Sequence, residues 1–326
     1  MRVAVLGSGS QGNAVVVEAG GKRLLLDAGF SCREIEKRLA RVGVAAESLA
    51  GVVVTHEHRD HVRGADRLAR RWRLPIYATG GTLEHAHGLS DAARRQTRTL
   101  ASGVPVEVDG FVVEPFAIPH DAAEPVGLVV TAPDGCRLGL AGDLGSRSRL
   151  AWARLAELDV LLLETNHDLD MLRSGPYPWV LKQRIASRHG HLSNRDAADG
   201  LAELLCDRLR WVVCYHLSQT NNLPHLAAEE VVRALDREGS PAAVAIGDQD
   251  TPSEWIEVAP PTVAALAESA AALADRPVLP FAAAGSPAPA VEVAARRRRA
   301  VFRRRPPRQE PPTLQLGLDF AFGGEG

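Results

Sequence analysis

Residues 52–61 have the sequence VVVTHEHRDH. An apolar, β-branched run ends at Thr55 and predicts a buried strand. Successive side chains of an extended segment point to opposite faces, so two histidines spaced i, i+2 share a direction, and a turn after them can return further side chains to the same point. An isolated His-x-His is usually a surface loop, but four ligand-type residues directly after a core strand indicate a metal-binding cluster. The four are His56, His58, Asp60 and His61.

The composition is that of a globular protein with a substantial core. The chain has 326 residues, of which 45% are hydrophobic, enough for one large core or two modest ones. No run of about 18 apolar residues is present, and the opening MRVAVLGSGS lacks the apolar region of a signal peptide. We therefore expect a cytoplasmic protein with no membrane segment. The four cysteines lack C-x-x-C spacing and are expected to be free thiols.

Further candidate ligands follow other predicted strands. His120 follows the run that ends at Ile118, Asp143 follows the run over residues 138–141, and His216 follows the strand WVVCY. Asp27 is a further polar residue at a strand end and closes the run LLLD. Each alone would be an ordinary loop residue, and Asp27 by itself could be a strand-end cap. Two metal ions need about six or seven protein ligands and a shared carboxylate, which these residues supply together with the first cluster. The alternation of strands with helices predicts a layered α/β fold.

A candidate phosphate site lies at HGHLSN, residues 189–194. His191 and Ser193 precede a predicted helix over residues 195–208, and a helix N-terminus offers free N–H groups and a partial positive charge. A plain helix cap by Ser193 is the alternative. The glycine-rich segment GSGSQGN is not a nucleotide-binding loop, because a strand follows it and the lysine of such loops is missing. His85 and His87 are predicted to be loop or helix-surface residues.

The segments GSGSQGNA, LLLDAGFS, VVVTHEHRDHVRG, PHDAAEPVG, TNHDLDML, GHLSN and HLSQTNNLP resemble the metallo-β-lactamase-fold hydrolase superfamily, and within it the YycJ/WalJ-type subfamily of metal-dependent nucleases. The resemblance covers roughly residues 1–257. It implies a four-layer αββα fold and the hydrolysis of phosphodiester bonds, with DNA exonuclease activity as the leading proposal. A large cap domain, present in related nucleases, is missing between the strands.

The resemblance also implies roles for individual residues. It assigns His56, His58 and His120 to one metal, Asp60, His61 and His216 to the other, and Asp143 to both. Asp27 would support the metal-binding loop from behind. His191 resembles the phosphate-binding residue of ribonuclease J-type enzymes. We hypothesise that Asp60 also orients the nucleophile and that His191 contacts the scissile phosphate or protonates the leaving oxygen.

The ligand types do not select one metal or one substrate. A His and Asp set without thiolates suits two divalent ions, Zn or Mn, with Fe as a further option. Because fold and metals do not fix the substrate, a small-molecule hydrolase acting on a phosphodiester or a thioester is the alternative function. A DNA-binding or clamp-binding adaptor with an inactive site is less favoured, since all seven candidate ligands are present.

The C-terminal segment differs in composition from the rest. We predict a hydrolase domain over residues 1–258 and a disordered tail rich in Ala, Pro and Arg over residues 259–326. Near the end, TLQLGLDF resembles the short motif by which bacterial replication and repair proteins bind the sliding clamp. Chance, or docking back onto the body, is the alternative. The residues of this candidate motif at 315–320 are Gln315, Leu316, Leu318 and Phe320.

Overall fold

A computed structural model describes residues 1–260 and shows two seven-stranded β-sheets. The first sheet contains β1 (Arg2–Gly7), β2 (Ala14–Ala19), β3 (Lys22–Leu26), β4 (Leu49–Val53), β5 (Ile76–Thr79) and β6 (Thr97–Leu100). The second contains β7 (Val106–Val108), β8 (Phe111–Ala117), β9 (Val126–Thr131), β10 (Arg137–Ala141), β11 (Val160–Glu164), β12 (Trp211–Tyr215) and β13 (Ala243–Ile246). The short strand β14 (Ile256–Glu257) returns to the first sheet beside β1.

The described helices pack mostly on the outer faces of these sheets. They are α1 (Cys32–Arg41), α2 (Arg59–Val62), α3 (Ala65–Trp72), α4 (Gly80–His85), α5 (Asp91–Arg94), α6 (Arg149–Arg154), α7 (Leu169–Ser174), α8 (Trp179–Ile185), α9 (Asn194–Leu201) and α10 (Pro224–Arg237). None of the helices within residues 1–260 is long and apolar enough to cross a membrane.

Strand periodicity divides the apolar side chains among three layers of core. In β1, Val3 and Val5 face the second sheet, whereas Ala4 and Leu6 face α1 and α3. The outer face of the second sheet packs on α6, α9 and α10 through residues such as Leu161. This alternation is the period of two expected for strands that are buried on both faces. The resulting helix–sheet–sheet–helix order confirms the predicted αββα fold.

The parallel parts of the two sheets determine where the loops meet. Strands β3, β4, β5 and β6 pair in parallel, as do β10, β11, β12 and β13. The carboxyl ends of parallel strands lie at one edge of a sheet, which is where α/β proteins bind ligands. Strand β8 runs antiparallel to β9, which runs antiparallel to β10, so β8 ends at this edge as well.

Two predicted helices have different boundaries in the structure. The sequence of residues 62–72 predicts one helix from Val62 to Trp72, whereas in the structure α2 ends at Val62 and α3 begins at Ala65. The division falls at Gly64, whose N–H donates to the Ala28 carbonyl at 2.7 Å and where an added Cβ would lie 2.3 Å from the Phe30 carbonyl oxygen. The helix expected over residues 195–208 begins at Asn194 and ends at Leu201. It stops next to Gly200, a poor helix former that packs against Trp152.

Candidate metal centre

Three histidines meet where the end of β4 approaches the end of β8. His56 and His58 lie in the segment after β4, and His120 lies three residues after β8. The His120 Nε2 atom is 3.3 Å from the His58 Nδ1 atom, and the His56 ring centroid is 4.6 Å and 5.0 Å from those of His58 and His120. One ligand atom from each ring lies within 4.8 Å of the others.

A second group of ligand atoms lies beside the first. It consists of Asp60, His61 and His216, again with all ligand atoms within 4.8 Å of one another. Asp60 Oδ2 is 3.5 Å from His61 Nε2 and 3.6 Å from His216 Nε2. The structure therefore brings a residue that directly follows β12 against the segment that follows β4.

Asp143 lies between the two groups. Its Oδ2 atom is 2.8 Å from His61 Nε2, and its Oδ1 atom is 3.4 Å from His216 Nδ1 and 3.8 Å from His120 Nε2. Asp143, His216 and Asp27 all adopt left-handed backbone conformations, with φ of 54°, 57° and 59°. Such conformations are uncommon outside glycine and persist where the surrounding structure enforces them, often at functional sites.

The donor atoms fit metal ions better than they fit hydrogen bonding among themselves. The buried atoms His56 Nε2, His216 Nε2 and Asp143 Oδ2 have no hydrogen-bond partner, and the short contact of Asp143 with His61 lacks hydrogen-bond geometry. An unpartnered buried polar atom costs about 1–3 kcal/mol, so three in one place need an explanation. Imidazole nitrogens and carboxylate oxygens that lie in overlapping groups within 4.8 Å of one another are the ligands of Zn, Mn or Fe sites.

The outer nitrogens of these rings are held by surrounding groups. His61 Nδ1 is 2.8 Å from Asp27 Oδ2, and His216 Nδ1 is 3.0 Å from Glu164 Oε1. An Nδ1–H that donates to a carboxylate leaves the Nε2 lone pair free for a metal ion. Asp27 also accepts hydrogen bonds from the backbone N–H and the hydroxyl of Thr55, at 2.8 Å and 3.0 Å. Asp27 thus lies where its predicted supporting role requires.

Glu164 is a site residue that the sequence analysis missed. Its carboxylate is fully buried at the end of β11 and accepts from His191 Nδ1 at 2.8 Å as well as from His216. The backbone N–H groups of Leu144 and Leu192 donate to its other oxygen, at 2.6 Å and 3.2 Å. The available signal was its position, because Glu164 closes the apolar run VLLLE as Asp27 closes LLLD.

A second residue that the sequence analysis missed is Asn13. It is fully buried, and its Nδ2 atom lies 3.1 Å from His61 Nε2 and 3.3 Å from Asp60 Oδ2. The segment GSGSQGN, which ends at Asn13, therefore lies against the metal-binding loop. No pattern in the sequence marks Asn13 for this position.

His191 and Ser193 have different surroundings. The Nδ1–H of His191 donates to Glu164, so that Nε2 faces a cavity of about 270 Å³ that is also lined by Ser10, Tyr177 and Arg184. The Ser193 hydroxyl accepts from the N–H of Asp196 at 3.1 Å and donates to its carboxylate at 2.7 Å. The hydroxyl is thus occupied as the N-cap of α9, and this geometry does not support the predicted phosphate contact of Ser193.

The protonation states follow from burial and neighbouring carboxylates. Burial lowers the pKa of His56 and of His120, which keeps both rings in the neutral form that binds metal ions. Burial also opposes a charge on His191, but the Glu164 carboxylate outweighs it and raises the pKa of His191 above its usual value. The Glu164 carboxylate therefore favours the protonated form of His191.

One pair of histidines from the sequence analysis lies apart from this centre. His85 ends α4, and both His85 and His87 are exposed, 6.3 Å apart by ring centroids. Among the described residues, neither joins a cluster that could hold a metal ion. The candidate clamp motif at 315–320 lies outside the described residues, as does most of the predicted tail.

Comparisons with known proteins agree with the fold and the cluster. A family described as the beta-lactamase superfamily domain matches residues 22–217. The chain is 34% identical over 252 residues to exodeoxyribonuclease YycJ of Bacillus anthracis, covering 77% of this chain and 95% of that protein. It is 35% identical over 237 residues to exodeoxyribonuclease WalJ of Streptococcus pneumoniae serotype 2 (strain D39), covering 72% and 88%. The metallo-β-lactamase-fold protein YhfI of Bacillus subtilis superimposes with a TM-score of 0.59 at 18% identity, covering 77% of this chain and 98% of YhfI.

Proposed function

We propose that this hydrolase is a two-metal DNA exonuclease. The premise is that the chain belongs to the beta-lactamase superfamily domain family and, within it, to the group of YycJ and WalJ. The observation that carries the proposal is the similarity to two proteins named exodeoxyribonucleases along 95% and 88% of their lengths. The seven candidate ligands lie together at the edge of the sheets, as phosphodiester hydrolysis by this fold requires.

Two divalent cations would share the seven ligands. His56, His58 and His120 would hold one, and Asp60, His61 and His216 would hold the other. Asp143 lies between these two groups and would be available to both. Zn and Mn suit this set, and Fe is compatible with it. When bound, such cations lower the pKa of water and neutralise charge on the phosphoryl oxygens.

Asp60 has a second role besides binding a metal ion. It is only partly buried, unlike Asp143, and it lines the cavity between α2 and Ser10 as well as the centre. A carboxylate in this position can accept a hydrogen bond from the attacking water and direct its lone pair at phosphorus. We assign Asp60 this orienting role.

His191 acts on the substrate from the other side of the centre. Glu164 fixes its orientation through Nδ1 and favours the protonated ring, so that Nε2–H points into the cavity. From there it either donates to a non-bridging phosphoryl oxygen or transfers its proton to the leaving oxygen. A cationic donor at this position suits a phosphodiester better than a thioester.

The proposal is tested by incubating the purified protein, with Mn or Zn, with end-labelled single-stranded and double-stranded DNA and RNA. We expect metal-dependent removal of nucleotides from a DNA end. The Asp143→Ala variant should lose at least about 1000-fold of this activity, because its carboxylate contacts both ligand groups. Metal content measured on the same preparations separates lost metal from lost catalysis.

The alternative outcomes are distinct. An Asp143→Ala protein that cleaves DNA at the wild-type rate would refute the site. If the wild-type protein leaves every polynucleotide intact but hydrolyses bis(p-nitrophenyl) phosphate, the fold and site stand and the substrate is a small phosphodiester.

We further propose that the enzyme acts in DNA repair in the cytoplasm and is recruited by the sliding clamp through residues 315–320. Only the sequence supports this: QLGLDF is an apolar segment in a polar, arginine-rich tail. Binding to a clamp would raise the concentration of the nuclease near DNA. Changing both Gln315 and Phe320 to Ala should abolish binding to purified clamp in a pull-down or by surface plasmon resonance, whereas unchanged binding would dispose of the motif.

A further inference from the structure

A second cavity opens beside the metal centre and shares Ser10 with the cavity that His191 lines. It measures about 320 Å³ and is lined by Ser10, Gln11, Arg59, Asp60 and Arg63. We name it the arginine cavity. Because Asp60 is one of its walls, anything bound there lies next to the candidate metal ligands.

Arg59 and Arg63 are placed to act together. They are four residues apart on α2 and its C-cap, joined by the hydrogen bond from the Arg63 N–H to the Arg59 carbonyl at 3.1 Å. Residues at this spacing lie on one face of a helix. Both are exposed, and within residues 1–260 neither side chain has a hydrogen-bond or ion-pair partner. Two guanidinium groups therefore face the same cavity with their donors free.

Two arginines of the next helix are paired with carboxylates. On α3, Arg70 pairs with Asp66 at 2.8 Å and Arg71 pairs with Glu36 at 3.3 Å. Those arginines have acidic partners at hand and contribute to an ordinary solvated surface. Among residues 1–260, the only carboxylate that lines the arginine cavity is that of Asp60, which is also a candidate metal ligand.

The opposite wall of the cavity is well anchored. The Gln11 N–H donates to Gln249 Oε1 at 2.9 Å, and the Asn13 N–H donates to the Asp60 carbonyl at 2.8 Å. Gly29 packs so closely that an added Cβ would lie 1.7 Å from the Asp60 carbonyl oxygen. The loop and α2 are therefore held in contact, and the cavity between them has a fixed width.

Ser10 links the two cavities. It lines both the arginine cavity and the cavity into which His191 points. A chain-like substrate crossing the centre would pass Ser10 and contact His191 on one side and Arg59 with Arg63 on the other. A small phosphodiester would not reach beyond the centre, so the arginine cavity distinguishes a polymer from a small substrate.

We propose that the arginine cavity binds a phosphate group of the polynucleotide strand adjacent to the scissile bond, through the guanidinium groups of Arg59 and Arg63. This deepens the proposed nuclease function and rests on it. Planar guanidinium forks match phosphate oxygens in a bidentate way, and such contacts carry no base information. The cavity thereby positions the strand without selecting its sequence.

The test compares Arg59→Gln/Arg63→Gln with the matched pair Arg67→Gln/Arg73→Gln. The control arginines lie on α3 and its C-cap and are exposed. Replacing them removes the same number of positive charges from a surface outside the cavity lining. Binding is measured with a phosphorothioate-linked single-stranded oligonucleotide that resists cleavage, over a range of salt concentrations. We expect the Arg59→Gln/Arg63→Gln variant, the cavity pair, to bind the oligonucleotide about tenfold or more weakly than the wild type. The slope of the logarithm of the binding constant against the logarithm of salt concentration should become shallower by about 0.7 per arginine. The control pair should bind nearly as the wild type does.

Turnover assays separate the cavity from the metal centre. For the cavity pair, kcat/KM for an oligonucleotide should fall at least tenfold more than kcat/KM for bis(p-nitrophenyl) phosphate. Since Arg59 is flanked by two candidate ligands, metal content is measured as well, and Arg63→Gln alone repeats the comparison outside the ligand segment. Equal losses on both substrates, or equal effects of both variant pairs on oligonucleotide binding, would overturn the proposal.

Two further outcomes have definite meanings. Substrates with 5′-phosphate and 5′-hydroxyl ends distinguish a terminal phosphate from an internal one: a loss confined to the phosphorylated end assigns the cavity to the terminus. If the wild-type protein cleaves no polynucleotide, the nuclease function fails, yet the binding measurement still decides whether the arginines hold phosphate.

Discussion

The two sheets contribute to the metal centre in different ways. The first sheet supplies four candidate ligands from one segment after β4, His56, His58, Asp60 and His61, and supports that segment with Asp27. The second supplies His120, Asp143 and His216 from three separate loops, with His191 from a fourth. A single carboxylate, Glu164, holds both His191 and His216.

This difference shows how each half of the metal centre, the ligands from the first sheet and those from the second, keeps its geometry. In the first half, the chain itself fixes the spacing of the ligands, since few rotatable bonds separate them. In the second half, nothing along the chain relates residues that are tens of positions apart, and a shared buried partner must do so. We therefore expect the second half to depend more on its supporting carboxylate than the first.

Among the residues that support the ligands, the largest effect should come from Glu164→Gln, compared with Asp27→Asn. An amide in place of the Glu164 carboxylate brings N–H groups against two imidazole N–H donors or two backbone N–H groups. Changes at partners of metal ligands typically cost 10–100-fold in metal affinity or activity. We expect about 100-fold for Glu164→Gln and about tenfold for Asp27→Asn, measured as kcat/KM and as bound metal.

Thermal unfolding of both variants serves as the control for this comparison, since intact melting transitions attribute the losses to the site. Equal losses in the two variants would show that the two supporting carboxylates matter alike, and would remove the distinction between the halves.

The second prediction concerns acid sensitivity of the second half. His167 is buried in the segment after β11, and its backbone forms an isolated β-bridge with that of Ser193. Burial lowers the pKa of His167 from 6.5 to about 4. Between pH 4 and pH 6.5 the unfolded chain therefore binds more protons at His167 than the folded chain does. The contribution of His167 to the free energy of unfolding is fully present above about pH 6.5 and is lost as the pH falls towards 4. His167 alone should cost about 2 kcal/mol between pH 7 and pH 5.

Urea unfolding of wild type and His167→Gln at pH 7 and pH 5 measures this effect. The variant should lose less stability than the wild type over the same interval. Parallel losses in the two proteins would mean that other groups account for the acid sensitivity.

The smallest effect is expected from His85→Ala/His87→Ala. These histidines have ligand-like spacing but are exposed and separate from the centre. Surface substitutions of this kind usually change stability by less than about 0.5 kcal/mol, and kcat/KM and metal content should match the wild type. A loss of bound metal in this variant would require a site that the geometry does not show.

Some of the local structure was predictable because it depends on near neighbours. The apolar runs VLLLE and WVVCY each predict a strand, and β11 and β12 begin and end at these residues. The pair Gly20-Gly21 predicts a hairpin turn, which the structure has between β2 and β3. Ser31 caps α1 through the Glu34 N–H, although the Glu34 side chain pairs with Arg38 and does not complete a capping box. The break at Gly64 was missed because it depends on Ala28 and Phe30, which lie in another loop.

The sequence by itself determined a layered α/β fold, through the alternation of strands and helices, and the family resemblance implied the αββα order. It also identified the segment after β4 as a candidate ligand cluster. The tertiary structure alone decided which distant side chains meet that cluster. Glu164 is 27 residues from His191 and 52 from His216, and no local pattern records that one buried oxygen accepts from both. The same holds for the cavity that Arg59 and Arg63 share with Ser10. Periodicity reports which face of an element is buried, whereas convergence of loops depends on how two sheets pack.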